Sequence, residues 1–134
     1  MLTAAAMCLA LNVFFEARHE STTGQIAVAE VTLNRVADKR YPDTVCEVVW
    51  ERKQFSWTHD GKHDDPTRMS FLDQRAWEGI VELSEAILDN QGILLGLSST
   101  HYHSVEVSPF WTAHYELDGR VGNHVFYTNE TAHK

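Results

Sequence analysis

Apolar and polar residues recur at helical spacing through most of the chain before residue 90. Thr3 is followed by a run rich in Ala, Leu and Met that ends near Ala17. A run that is apolar on most sides is typical of a helix enclosed by others, and the Thr3 hydroxyl can cap its start. The pattern therefore predicts a buried first helix with Glu16 in its last turn.

Three further helices follow from the same spacing. Thr22 and Gln25 form a capping-box pattern at the start of the second helix. Apolar residues then recur at intervals of three and four. We expect these helices over residues 22–38, 43–50 and 71–90.

The residue pattern changes from helical to strand-like beyond the long helix. Segments 99–107 and 122–128 mix β-branched, aromatic and polar residues as short strands do, and Asp118-Gly119 is a turn signal. The prediction is an α+β, mainly helical, single domain over residues 1–134, with a small β element near the C-terminus.

The charge balance restricts the partners. The chain has 19 acidic and 11 basic residues, a formal net charge of -8, and its basic residues are scattered. Such a chain repels a phosphate backbone, so nucleic acid is not expected as a partner. The first apolar run is too short to span a bilayer and lacks the positive start of a signal peptide. We expect a monomer without stable membrane insertion; export, if it occurs, would use phage lysis or another route.

Cys8 and Cys46 lie far apart in the sequence and lack the spacing of a metal site. Buried free thiols are the default interpretation. A disulfide between them is the less favoured alternative, because sequence alone cannot place their Cα atoms within bridging distance.

Glu16 is the first candidate for chemistry. It follows Phe14 and Phe15 at the end of an apolar helix. Burial raises the pKa of a carboxyl group, as a general acid working near neutral pH requires. Glu20 lies one helical turn further on if the helix persists. From spacing alone, an exposed helix end paired with a neighbouring cation explains Glu16 equally well.

Several blocks around and after Glu16 occur together in a specific order. Asn-Val-Phe-Phe-Glu-Ala-Arg-His-Glu stands at 12–20, and Gln-Phe-Ser at 54–56. His101, Tyr102, His103 and a Gly-Asn-His block at 122–124 follow. In this order the blocks resemble the SleB/CwlJ family of cell-wall hydrolases, over nearly the whole chain.

The resemblance implies a lysozyme-like fold, peptidoglycan as the substrate and lytic transglycosylase activity. Glu16 would then be the catalytic acid and base. Cleavage of a glycosidic bond needs a proton on the leaving oxygen, followed by a second carboxylate or a substitute for it. If Glu20 or another acid lies across the sugar, hydrolysis follows. If Glu16 acts alone, the substrate's own hydroxyl is the nucleophile. His19, where many relatives have glycine, is a departure from the family pattern.

Gln54, Phe55, Ser56 and Trp57 supply an amide, a hydroxyl and two aromatic faces. Such groups hydrogen-bond sugar hydroxyls and stack on pyranose rings. Without the resemblance, a core or turn role for them is favoured. With it, we expect a substrate-binding wall.

His101 and His103 flank Tyr102, so on a strand both imidazoles face one side. We expect all three near the substrate, with the histidines hydrogen-bonded. The alternative is a zinc site of a peptidoglycan amidase or peptidase, with a third ligand from His114, His124 or Glu106.

The favoured hypothesis is an enzyme that cleaves peptidoglycan glycan strands at the bacterial cell wall, without a metal or cofactor. It fits a phage endolysin or a bacterial wall-remodelling domain. A third alternative is a murein-binding module without catalytic activity.

Overall fold

The computed structural model describes residues 2–51, 70–89 and 94–129. Its helices are α1 (Ala4–Ala17), α2 (Thr22–Ala37), α3 (Val45–Trp50) and α4 (Phe71–Leu88). Its strands are β1 (His101–Ser104), β2 (Tyr115–Val121) and β3 (His124–Asn129), with a 3₁₀ helix at Phe110–His114 between β1 and β2. The described residues therefore form the predicted α+β, mainly helical architecture.

Helix α1 lies at the centre and packs against the other three helices. Thr3 caps it as predicted, because its hydroxyl accepts a hydrogen bond from the Ala6 N–H at 3.1 Å. Leu9 and Phe14 are fully buried. Each such side chain stabilises the fold by about 1.5–3 kcal/mol. The helix does not persist to Glu20, so Glu16 and Glu20 do not share a helix face.

The start of α2 corrects one prediction. Ser21, not Thr22, caps this helix, and its hydroxyl accepts from the Gly24 N–H at 3.2 Å. Gln25 does not complete a capping box. The chain reverses after α1, and this brings the Ala17 carbonyl within reach, where it accepts from the Gln25 amide at 3.2 Å.

The other helix boundaries agree with the sequence pattern. Thr44 caps α3 and Ser70 caps α4, each through its side-chain oxygen. Among the described helices, none has the length and apolarity needed to cross a membrane.

The strands form one antiparallel sheet in the order β1-β3-β2. Tyr102 pairs with Phe126, and His103 pairs with Val125. Because alternate residues face opposite sides of a strand, Tyr102 lies on the inner face, which packs on the helices. His101 and His103 share the outer face, as predicted.

Strand β2 was missed in the sequence, and Asp118-Gly119 is part of it rather than a turn. A β-bulge lies between Leu117 and Gly119. The Asp118 carboxylate accepts hydrogen bonds from the Ser99 and Thr128 hydroxyls, both at 2.6 Å. These partners are distant in sequence, so the local turn signal was misleading.

The prediction of free thiols is wrong. Cys8 of α1 and Cys46 of α3 form a disulfide with their Cα atoms 5.2 Å apart. The two helices pack side by side. That packing brings together two residues 38 positions apart in the sequence.

Polar side chains of α2 hold the segment that leads into β1. The Glu30 carboxylate accepts hydrogen bonds from three consecutive backbone N–H groups at 2.7–3.0 Å. Asn34 donates to two carbonyl oxygens of the same segment. The buried Arg35 Nε donates to the Thr100 carbonyl at 2.7 Å. These bonds fix β1 relative to the helices, and with it Tyr102.

Candidate functional site

Glu16 lies in the last turn of α1 and is partly buried. Its carboxylate is close enough to Tyr102 of β1 to affect that side chain electrostatically. Burial first, and the Glu16 charge second, hold the pKa of Tyr102 well above its usual value. The Tyr102 hydroxyl oxygen itself is buried. Glu16 therefore lies where the end of α1 approaches the inner face of the sheet.

Asn12 lies one turn before Glu16 and is fully buried inside the apolar helix. Its amide donates to the Thr32 hydroxyl of α2 at 3.4 Å, and it also lies beside Tyr102. In the sequence, Asn12 is the first residue of the family block at 12–20, and no separate role was predicted for it. The structure places it in a buried polar group with Thr32 and Tyr102.

Glu20 is held by the turn between β2 and β3. One of its carboxylate oxygens accepts from the Asn123 N–H at 2.7 Å, and the other from the Asn123 side-chain amide at 3.0 Å. His124 Nδ1 lies 3.7 Å from the same carboxylate. These bonds, above all the backbone bond from Asn123, lower the pKa of Glu20. We call Glu20, Gly122, Asn123 and His124 the Glu20 anchor.

Gly122 is required by this arrangement for two reasons. Its φ is +57°, a conformation that side chains with a Cβ rarely adopt. A Cβ at this position would also overlap the Glu20 carboxylate. The Gly-Asn-His block at 122–124 was part of the family resemblance, but only the fold shows that it holds Glu20.

His101 and His103 belong to a group of rings on the outer face. Ring centroids lie 4.6–5.8 Å apart among these five residues, the outer aromatic cluster: His101, His103, Trp111, Tyr115 and Tyr127. Burial, and secondarily the Arg35 charge, lowers the pKa of His101 to about 4. His101 is therefore neutral at pH 7.

The hydrogen bonds of His103 assign a tautomer when its ring is neutral. Nδ1 lies 2.7 Å from the Ser104 carbonyl, which can only accept, so Nδ1 carries the proton. Nε2 then accepts from the Tyr127 hydroxyl at 3.1 Å. Both ring nitrogens thus have partners.

This geometry does not favour the zinc alternative. Within residues 2–51, 70–89 and 94–129, no group of three His, Cys, Asp or Glu side chains comes together. His124 is paired with Ser104 and lies on the inner face of the sheet, whereas His101 and His103 lie on the outer face. A ligand at His103 Nε2 would also displace Tyr127.

The structure brings together only some of the predicted site residues. Glu16 lies close enough to Tyr102 to affect it electrostatically, whereas Glu20 is bound by Asn123. The two histidines lie on the outer face of the sheet. The predicted wall of Gln54, Phe55, Ser56 and Trp57 lies outside the described residues.

The chain belongs to the cell wall hydrolase family, whose model matches residues 19–127. The match confirms the resemblance to SleB/CwlJ proteins. It includes the Glu20 anchor and the outer aromatic cluster, and it begins just after Glu16.

Two curated relatives are spore cortex-lytic enzymes. The one from Oceanobacillus iheyensis is 41% identical over 69 residues, which cover 48% of this chain and 25% of that protein. The one from Bacillus cereus is 43% identical over 54 residues, which cover 40% of this chain and 21% of that protein. The matched segment is thus a quarter or less of each relative's length.

Two solved structures share the fold. The catalytic domain of the germination-specific lytic transglycosylase SleB from Bacillus anthracis superposes with a TM-score of 0.66 at 23% identity, over 94% of this chain and 96% of that one. The catalytic domain of the Bacillus cereus SleB protein gives 0.63, also at 23% identity. The predicted lysozyme-like fold is thereby confirmed.

Proposed function

We propose that this chain is a single catalytic domain that cleaves peptidoglycan glycan strands between N-acetylmuramic acid and N-acetylglucosamine, as a lytic transglycosylase. The observation that carries this proposal is the position of Glu16. It is a partly buried carboxyl group at the end of the central helix, next to Tyr102, in a fold shared with lytic transglycosylase catalytic domains.

The role of Glu16 follows from the chemistry of the bond. Glu16 first donates a proton to the glycosidic oxygen, and the bond from that oxygen to the anomeric carbon of the muramic acid breaks. The 6-hydroxyl of the same sugar then attacks the anomeric carbon and returns its proton to Glu16. The product is a 1,6-anhydromuramic end, and no water is consumed.

The Glu20 anchor favours this route over hydrolysis. Hydrolysis with two acids needs a second carboxylate free to act as nucleophile or to activate water. Both oxygens of Glu20 accept hydrogen bonds from Asn123, and its side chain is only 7% exposed. We therefore assign Glu20 to positioning the turn. Its predicted contact with substrate remains a prediction, as does that of His101 and His103.

The decisive experiment uses purified sacculi and the Glu16→Gln variant. The wild type should release muropeptides with 1,6-anhydromuramic ends, detected by mass spectrometry, and the variant should not. Reducing muramic ends would instead show hydrolysis. An unchanged release of fragments by the variant would overturn the assignment of Glu16. Loss of activity with EDTA would revive the zinc alternative.

The disulfide supports action outside the cytosol. Disulfides persist mainly in oxidising compartments, and Cys8–Cys46 joins α1 to α3. Together with a family that acts on cell walls, it supports the proposal that the domain works in the periplasm or outside the cell. A phage endolysin and a bacterial wall-remodelling enzyme both fit this location, and the monomeric state is part of the same proposal.

A further inference from the structure

A groove of about 550 Å³ runs between α4 and the first turns of α2. Ala76, Gly79, Ile80 and Leu83 are among the residues that line it. Its lining extends from Arg75 to Ala86 on α4, a length of about 16 Å at the helical rise. An extended peptide of about five residues has the same length.

The groove lies on the other side of α1 from the Glu16 carboxyl group. Arg18, which lines the groove, follows Glu16 by two positions, so the two side chains leave the helix about 200° apart. Their Cα atoms are only about 5 Å apart. The end of α1 thus lies between the two, and a substituent on a sugar bound at Glu16 would pass this end of the helix to enter the groove.

Two guanidinium groups line one end of the groove. Arg18 forms an ion pair with Asp73, with Nε 3.3 Å from Oδ1, and its Nε makes no hydrogen bond. Arg75 is exposed, and its guanidinium lies 5.9 Å from the centre of the Phe71 ring. Within the described part of the chain, Arg75 has no carboxylate partner. Both guanidinium groups lie near the first turns of α4.

A carboxylate and small side chains complete the groove. Glu82 is exposed and lies about two turns along α4 from Arg75. Gly79 lies between them, and a Cβ built there meets nothing within 4 Å. The groove thus offers cations for carboxylates, an anion for an amine, and small apolar positions for methyl groups.

We propose that this groove binds the stem peptide of peptidoglycan, with Arg18 and Arg75 on its carboxylates and Glu82 on the amino group of its diamino acid. The proposal rests on the proposed function, because the substrate must be peptidoglycan. The glycan strand and the stem peptide would then contact opposite sides of the end of α1.

The test measures peptide binding without catalysis. The full chain carrying Glu16→Gln is titrated with the tetrapeptide L-Ala-γ-D-Glu-L-Lys-D-Ala, and binding is followed by NMR chemical shifts. Adding Gly79→Leu should weaken binding about tenfold or more, because the leucine fills the groove. Adding Arg75→Gln should also weaken it about tenfold, the value of one charge-assisted hydrogen bond.

Matched controls separate the groove from general effects. Gly79→Ala adds only a methyl group to the same helix position and should bind within about twofold of its parent. Lys39→Gln removes the same charge as Arg75→Gln at an exposed position outside the groove. The same peptide with amidated carboxylates should bind at least about tenfold more weakly than the free acid.

The results that would contradict the groove assignment differ from those that would contradict the proposed enzymatic function. Equal binding by Gly79→Leu, Arg75→Gln and their parent would overturn the groove assignment, as would equal binding of the amidated peptide. Far-ultraviolet circular dichroism confirms that each variant is folded. Cleavage of sacculi is measured separately with the wild-type protein, which retains Glu16. If the wild-type protein did not cleave sacculi, the enzymatic proposal would be contradicted, and the peptide-binding result would stand by itself.

Discussion

Glu16 and Glu20 are four residues apart, yet the structure places them in two different environments. Glu16 lies in the last turn of the central helix, close enough to Tyr102, whose hydroxyl is buried, to affect it electrostatically. Glu20 lies beyond the helix, where Asn123 donates two hydrogen bonds to its carboxylate. The comparison teaches that two carboxyl groups in one sequence block need not share one chemical role. We propose that Glu16 exchanges a proton with the substrate, whereas Glu20 holds the turn between β2 and β3 against the end of α1.

The largest expected effect is that of Glu16→Gln. Glutamine preserves the shape of the side chain but cannot donate and recover a proton, so muropeptide release from sacculi should fall about 10²–10⁴-fold. The melting temperature, measured in parallel, should stay close to that of the wild type. A variant that retains more than about a tenth of the activity would contradict a proton-transfer role.

Gly122→Ala tests the anchor from the side of the turn. The positive φ and the overlap with Glu20 should destabilise the protein by about 2–3 kcal/mol in urea unfolding. Gly79→Ala is the matched control, since Gly79 is helical and has open space around it. That change should stabilise the protein by about 0.5–1 kcal/mol. Equal effects of the two substitutions would mean that the turn does not need glycine.

Glu20→Gln tests the anchor from the side of the carboxylate. The substitution removes the charge that accepts both Asn123 bonds, and should lower the free energy of unfolding by about 1–2 kcal/mol. Activity below the melting temperature should fall less than about tenfold. A loss of activity as large as that of Glu16→Gln would contradict the different roles of the two residues, because Glu20 would then take part in the reaction.

The smallest effect is a change in how stability depends on pH. The pKa of His124 is lowered mainly by burial, and that of His101 is lowered to about 4, so the unfolded chain binds protons more readily than the folded one. The free energy of unfolding should therefore fall as the pH drops from 6.5 towards 4. The lowered pKa of Glu20 adds a further fall below pH 4.5.

Urea unfolding at a series of pH values from 7 to 3 separates these contributions. Glu20→Gln should reduce the loss of stability below pH 4.5, because its side chain no longer titrates. The histidine-dependent loss at higher pH should remain and become somewhat larger, because the Glu20 charge raises the pKa of His124. A variant with the same acid dependence as the wild type throughout would show that the anchor does not lower the pKa of Glu20.

Helix boundaries were the most predictable part of the fold. The starts of α1, α3 and α4 follow from capping residues and from apolar spacing, which act within one or two turns. Strand β2 could not be found in this way. Its Asp118 is satisfied by hydroxyls of two distant segments, and these contacts override the local turn preference of Asp118-Gly119.

The candidate site likewise combines features that follow from the local sequence with features that depend on tertiary packing. The sequence by itself determined that Glu16 ends an apolar helix and that His101 and His103 share one face of a strand, because both follow from backbone periodicity. Only the tertiary structure decided that Tyr102 lies within electrostatic reach of Glu16, that Asn123 holds Glu20 and that Cys8 pairs with Cys46. Each of these contacts joins segments far apart in the chain, and their meeting depends on how the helices and the sheet pack.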